Sequence, residues 1–125
     1  MSYQYWYKFH EEKVGKFDIV ASWTYENCAI SHCFDETCHD IKELERKVND
    51  GEYQWFILRV QAFLNGAELG SHYLGGCMYE KEEDVLTDGT YEDCRDEAIN
   101  EANKWLTKAL SSVCSDWLTK DNETV

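Results

Sequence analysis

Cys28, Cys33 and Cys38 recur at intervals of five, with His32 and His39 beside the second and third. Thiolates and imidazoles are the natural ligands of zinc, and a cysteine with a neighbouring base can act as a nucleophile. The spacing argues against both. Zinc knuckles pair their ligands across gaps of two to four residues, and here no C-x-x-C repeats. Cys38 and Cys94 also fall in step with apolar residues at helical spacing, where a free thiol behaves as a small hydrophobe. Buried thiols are therefore expected, with no metal site and no catalytic cysteine.

Other chemistry is equally sparse. "LGGCM" has paired glycines after a strand, but no helix opens behind it, as a phosphate-cradling loop requires. Those glycines suit strand curvature or a bulge. Carboxylates abound, yet nothing singles out a pair whose environments would drive their pKa values apart. No enzyme activity and no cofactor are expected.

The charge is distinctive. The chain carries 25 acidic and 12 basic residues, a formal net charge of −13. Phosphate backbones need a basic stripe, so direct nucleic-acid binding is not expected, nor is attraction to an anionic membrane. Ten acids cluster between Glu80 and Glu101: Glu80, Glu82, Glu83, Asp84, Asp88, Glu92, Asp93, Asp96, Glu97 and Glu101, with Lys81 and Arg95 the only bases among them. Acids at a helix start complement its dipole, and a net charge keeps a protein in solution. The sharper reading is a surface that docks on a basic partner and imitates the charge of a nucleic acid. Trp6 and Trp55 are the candidate aromatic anchors of such an interface.

The elements that position these groups follow from periodicity. Tyr3 to His10 alternates as a strand, with Tyr3, Tyr5, Tyr7 and Phe9 on one face and Gln4, Trp6, Lys8 and His10 on the other. A charged turn around Glu12–Lys16 leads to a second alternation through Phe17, Ile19, Ala21, Trp23 and Tyr25. A helix follows, capped by Asp35, its stripe formed by Cys38, Ile41, Leu44 and Val48, and stopped at Asn49-Asp50-Gly51. In "FLNGAEL", Asn65-Gly66 predicts a type I′ hairpin turn. The implied register sets Leu64 opposite Ala67, Ala62 opposite Leu69, Val60 opposite Ser71 and Leu58 opposite Tyr73. A long helix runs from Thr90 to Leu118, opened by a Thr90–Asp93 capping box. At about 1.5 Å per residue it outruns a domain this size, so its end past Ser111-Ser112 is expected to break, bend or pack on a partner chain, a homodimer included.

The order is β-β-α-β-β-α. "YQYW" at Tyr3–Trp6 returns as "YQWF" at Tyr53–Phe56, and "ETCHD" at Glu36–Asp40 as "EDCRD" at Glu92–Asp96. These echoes predict an internal duplication: one α+β domain over residues 1–125, with a first ββα unit at 1–50, a second at 51–119 and a disordered tail at 120–125. The expected fold is a four-stranded antiparallel sheet with both helices on one face. The other face would carry Gln4, Trp6, Lys8, His10, Val20, Ser22, Thr24, Trp55, Ile57 and Arg59. The chain opens on alternating aromatics, not on a basic segment and an apolar run, so a cytoplasmic location with reduced thiols is expected.

In size, acidity, aromatic content and compact α+β design the chain resembles small bacteriophage proteins that block bacterial immunity, the anti-CRISPR proteins, and "YEDCRDEAINEANKWL" is similar to helices of phage accessory proteins. The resemblance carries no residue roles. It implies a non-catalytic inhibitor in the host cytoplasm that occupies the nucleic-acid path or a protein surface of a defence complex. Two alternatives remain: a nucleotide-binding sponge or sensor using Arg59, His72 and Arg95, and a zinc-stabilised module using the Cys28/Cys33/Cys38 cluster.

Overall fold

Four antiparallel strands pair in sequence order. They are β1 (Tyr7–Val14), β2 (Phe17–Tyr25), β3 (Gln54–Leu64) and β4 (Ala67–Tyr79). Between the hairpins lie a single helical turn, α1 (Ile30–Cys33), and the helix α2 (Ile41–Asn49). A 3-10 turn at Glu82–Leu86 precedes the long helix α3 (Thr90–Thr124). This computed structural model describes residues 5–35, 37 and 40–124, with side chains through Ser112. The fold is thus α+β with an open antiparallel sheet in the expected element order.

The core lies between one sheet face and α3. Phe17, Ile19 and Ala21 of β2, Phe56, Leu58, Val60 and Ala62 of β3, and Cys77 of β4 meet Tyr91, Cys94, Ala98 and Ala102 of α3, all buried. Strand alternation supplies the first set and spacings of three and four the second. Val85 of the 3-10 turn closes the end. The small α3 residues are there for a reason. Gly70 runs directly beneath them, and a Cβ on it would overlap the Ala98 carbonyl oxygen and lie 2.7 Å from the Ala102 nitrogen. The helix and β4 approach until backbone meets backbone, which only glycine permits.

The Asn65-Gly66 turn forms as expected. Both residues have positive φ, 51° and 85°, and Leu64 faces Ala67. Beyond it the expected register fails. Ala62 faces Gly70 rather than Leu69, Val60 faces His72 rather than Ser71, and Leu58 faces Leu74 rather than Tyr73. Leu69 is an extra residue in β4, a bulge that brings Gly70 under α3. A second irregularity sets Gly75 and Gly76 opposite Ile57, with Gly76 at φ 67°. On β1 a bulge at Phe9 does the same work: Lys8 faces Ser22, then His10 faces Ala21. His10 therefore lies on the α3 side with Glu12, not on the open face. The strand also continues to Val14, leaving Gly15-Lys16 as the turn.

The two helices do not share a face. Phe56 points to α3, so its neighbour Trp55 points to the other side of the sheet. There Trp55 donates its indole N–H to the Cys28 carbonyl at 2.9 Å and packs against Phe34, with ring centroids 5.8 Å apart. Cys28, Ile30 and Val48 join Trp55 around a cleft of about 300 Å³. α2 has no buried residue. Its cap is Asp40, which accepts the Glu43 N–H at 3.2 Å; Asp35, the expected cap, accepts the Thr37 N–H at 2.9 Å in the preceding turn. Glu36, Cys38 and His39 lie outside the described residues, so the stripe expected through Cys38 is seen only from Ile41 onward. The backbone of α3 continues through Thr124, into the stretch expected as a tail.

Candidate interaction surface

The ten acids occupy two segments with different duties. In the approach to α3, Asp84 accepts the Lys81 N–H at 3.3 Å. Asp88 accepts the Thr90 N–H at 2.9 Å and the Tyr79 hydroxyl at 2.6 Å. Asp88 thus holds the start of α3. The Thr90 hydroxyl expected in a box with Asp93 lies 2.9 Å from the Tyr79 hydroxyl instead. Burial first, then the bond to Asp88, pushes the Tyr79 phenol up to about 12. Glu80 and Glu83 are exposed, and Glu82 and Asp84 half-buried.

On α3 the acids are free for other work. Glu92, Asp93, Asp96, Glu97 and Glu101 are all exposed. At 3.6 residues per turn Glu92, Asp93 and Asp96 point away from the Cys94, Ala98, Ala102 stripe, while Glu97 and Glu101 flank it. Among the described residues Asp96 alone of the ten has an ion pair, with the Arg95 Nε at 3.3 Å. Arg95 leans inward to Glu12 at 3.5 Å. Glu12 also accepts the Tyr91 hydroxyl at 2.6 Å and meets His10 at 3.1 Å. The Tyr91 bond, with help from His10 and Arg95, holds the Glu12 carboxyl below its ordinary range despite partial burial.

The arrangement has an energetic cost. Glu92–Asp96, Asp93–Glu97 and Glu97–Glu101 are like-charge pairs at four-residue spacing, each destabilising by roughly 0.2–0.5 kcal/mol. The helix dipole offsets this only within the first turn, which covers Glu92 and Asp93 but not Glu97 or Glu101.

Neither anchor tryptophan is a bare surface residue. Trp6 is half-buried, with Arg59 stacked 4.2 Å from its ring centroid and Tyr73 edge-on at 5.9 Å. Trp55 is half-buried in its contact with the α1 segment. Tyr73 beside Trp6 is 53% exposed, and a larger group of exposed aromatics lies elsewhere. Tyr5, Tyr7 and Tyr25 are 68%, 39% and 60% exposed and chain together through Trp23, which stacks on Tyr7 at 4.6 Å. They sit on the α3 side of the sheet, where a covering helix was expected. α3 packs mainly on β4 and β3 and leaves this end of β1 and β2 open.

The cationic trio of the nucleotide alternative is not brought together. Arg59 and Tyr73 pair on the face away from α3, His72 pairs with Val60 on the α3 face, and Arg95 is held by Glu12 and Asp96. The cysteines divide. Cys77 and Cys94 are buried, and burial pushes their thiols up to about 12 and about 11. Cys28 and Cys33 are exposed, against expectation. Their sulfurs are 3.7 Å apart, and the Cys28 sulfur lies 3.9 Å from His32 Nδ1. Among the described residues no group of three or more His, Cys, Asp or Glu side chains is arranged to hold a metal ion, and no helix is long and apolar enough to cross a membrane.

No protein-family model matches the chain, and neither a curated protein nor a solved structure matches it.

Proposed function

We propose that the chain is a non-enzymatic, acidic binding protein that docks on a basic, nucleic-acid-handling partner and blocks its nucleic-acid path. One observation carries this reading. α3 keeps five exposed carboxylates over its first three turns, four without an ion pair among the described residues, at a cost to its own stability. Solubility alone needs net charge anywhere on the surface; it does not need like charges stacked turn upon turn. Stacked carboxylates suit a groove built to neutralise phosphates, and they speed encounter with it. The resemblance to phage anti-defence proteins narrows the partner to a bacterial defence complex of the CRISPR-Cas type.

The test is capture from bacterial lysate at low and high salt, followed by elution with duplex DNA. A nucleic-acid-handling protein should be retained at low salt and released by either salt or DNA. The triple variant Glu92→Lys, Asp96→Lys, Glu97→Lys should retain none of it. A partner held equally by the variant would refute docking through α3.

A further inference from the structure

Cys28 and Cys33 sit on a backbone fixed from three sides. The Cys28 carbonyl takes the Trp55 indole N–H at 2.9 Å. The Cys28 N–H goes to Glu26 Oε1 at 3.0 Å, while Glu26 Oε2 takes the Gly76 N–H at 2.9 Å. The Cys33 side chain lies over Gly76, with Sγ 3.6 Å from where a Cβ would stand. Both thiols nevertheless remain exposed. Cys33 donates its S–H to the Cys28 sulfur at 3.7 Å, and His32 Nδ1 lies 3.9 Å from the same sulfur. Cys28 is the hub, with a base on one side and a second thiol on the other.

We propose that Cys28 and Cys33 form an oxidisable dithiol site, in which Cys28 meets a peroxide first and Cys33 closes the disulfide. This site is independent of the acidic face of α3. His32 takes the Cys28 proton, and the thiolate attacks one peroxide oxygen. The O–O bond breaks, hydroxide leaves and recovers that proton as water, and Cys28 becomes a sulfenic acid. The Cys33 sulfur then attacks the Cys28 sulfur. The S–O bond breaks, and the leaving hydroxide takes the Cys33 proton as a second water. Two thiols are oxidised by two electrons, and one hydrogen peroxide is reduced to two waters. Closure moves the sulfurs from 3.7 Å to a bonding distance of about 2.05 Å, within reach of side-chain torsions at exposed residues. Desolvation and the bond it donates to Cys28 hold the Cys33 thiol above its ordinary value. Cys77 and Cys94 are walled off by the core.

The experiment exposes the folded full-length chain to hydrogen peroxide, alkylates the remaining thiols, and maps peptides by mass spectrometry. The expected product is a Cys28–Cys33 cross-link lighter by two hydrogens, with Cys77 and Cys94 alkylated only after unfolding. Cys33→Ser should leave a Cys28 sulfenic acid that dimedone traps. His32→Asn should slow Cys28 oxidation several-fold, with circular dichroism confirming that each variant folds. A bridge to Cys38 in place of the pair would overturn the proposal. So would thiols unchanged in the folded chain, or a tightly bound zinc that shields them until a chelator removes it.

Discussion

The two ββα units follow one sequence plan and end in opposite circumstances. Each has a hairpin joined by a two-residue turn, Gly15-Lys16 in the first and Asn65-Gly66 in the second. Each is followed by a helix with an apolar stripe. Yet α3 is driven into the sheet, while no residue of α2 is fully buried. Stripe width does not explain this, since Ile41, Leu44 and Val48 are larger than Cys94, Ala98 and Ala102. Small residues do. At Gly70, Ala98 and Ala102 no side chain longer than a methyl group stands between helix and strand, and the close approach there brings backbone against backbone. The surfaces differ in the same sense. On α2, Arg46 pairs with Glu43, Asp50 and Glu52, so each of these acids has a base beside it. On α3 only Asp96 of the outward acids finds a base among the described residues. The acids around Arg46 share a base; four of the five on α3 have none among the described residues.

The sharpest way to break this contrast is Gly70→Ala. One methyl group at the contact of β4 with α3 must displace the helix, and overpacking against backbone should cost about 3 kcal/mol or more. Urea unfolding would show it as a large fall in midpoint. A change under about 1 kcal/mol, the cost of a helix–sheet contact that can simply slide, would mean that the approach is looser than described.

Next in size is the tie between the units, from Tyr91 of α3 to Glu12 of β1. Tyr91→Phe removes the hydroxyl that most depresses Glu12. A carboxylate with a lowered folded pKa contributes stability that is full above its unfolded value, near 4.5, and lost as pH falls through the folded one. The variant should therefore lose about 1–2 kcal/mol near neutrality, as for a hydrogen bond to a charged group. Its stability should also fall less steeply as the solution is acidified. Parallel pH profiles for variant and parent would discount this bond.

How much of this could be read from the chain depends on the kind of signal. Period-two alternation marked Phe17 to Tyr25 and Trp55 to Leu64, and Asn65-Gly66 marked the turn; these fix strands, sheet and most of the core. A bulge leaves no such mark. Phe9 and Leu69 look like ordinary alternating residues, yet each shifts everything beyond it by one, and so His10 and the β4 register were misplaced. The small residues at Gly70, Ala98 and Ala102 were a usable signal for which helix packs closest. The acidic run was legible as composition, but its split into the capping acids Asp84 and Asp88 and the free acids of α3 depends on hydrogen bonds. The exposure of Cys28 and Cys33 was hidden because a thiol is apolar enough to suit either setting.

A smaller effect sharpens the contrast from the other side. Leu44 of α2 is half-buried, and Leu44→Ala should cost about 1 kcal/mol, well below the 2–5 kcal/mol typical of a core leucine. A core-like loss would show that α2 packs as α3 does.

The smallest expected effect on stability is the most informative about function. Glu97→Gln with Glu101→Gln removes the Asp93–Glu97 and Glu97–Glu101 repulsions, and lies beyond the reach of the helix dipole. Stability should rise by about 0.5 kcal/mol, the reverse of the usual sign for paired substitutions. Glu43→Gln on α2 should lower stability slightly instead, because it takes one of three carboxylates away from Arg46. Binding to the basic partner should move against stability, weakening in the α3 variant, with a shallower salt dependence, and holding in the α2 variant. Opposite signs for folding and binding at the same two positions are what a surface shaped for a partner produces. A surface charged only for solubility would gain the stability and lose nothing.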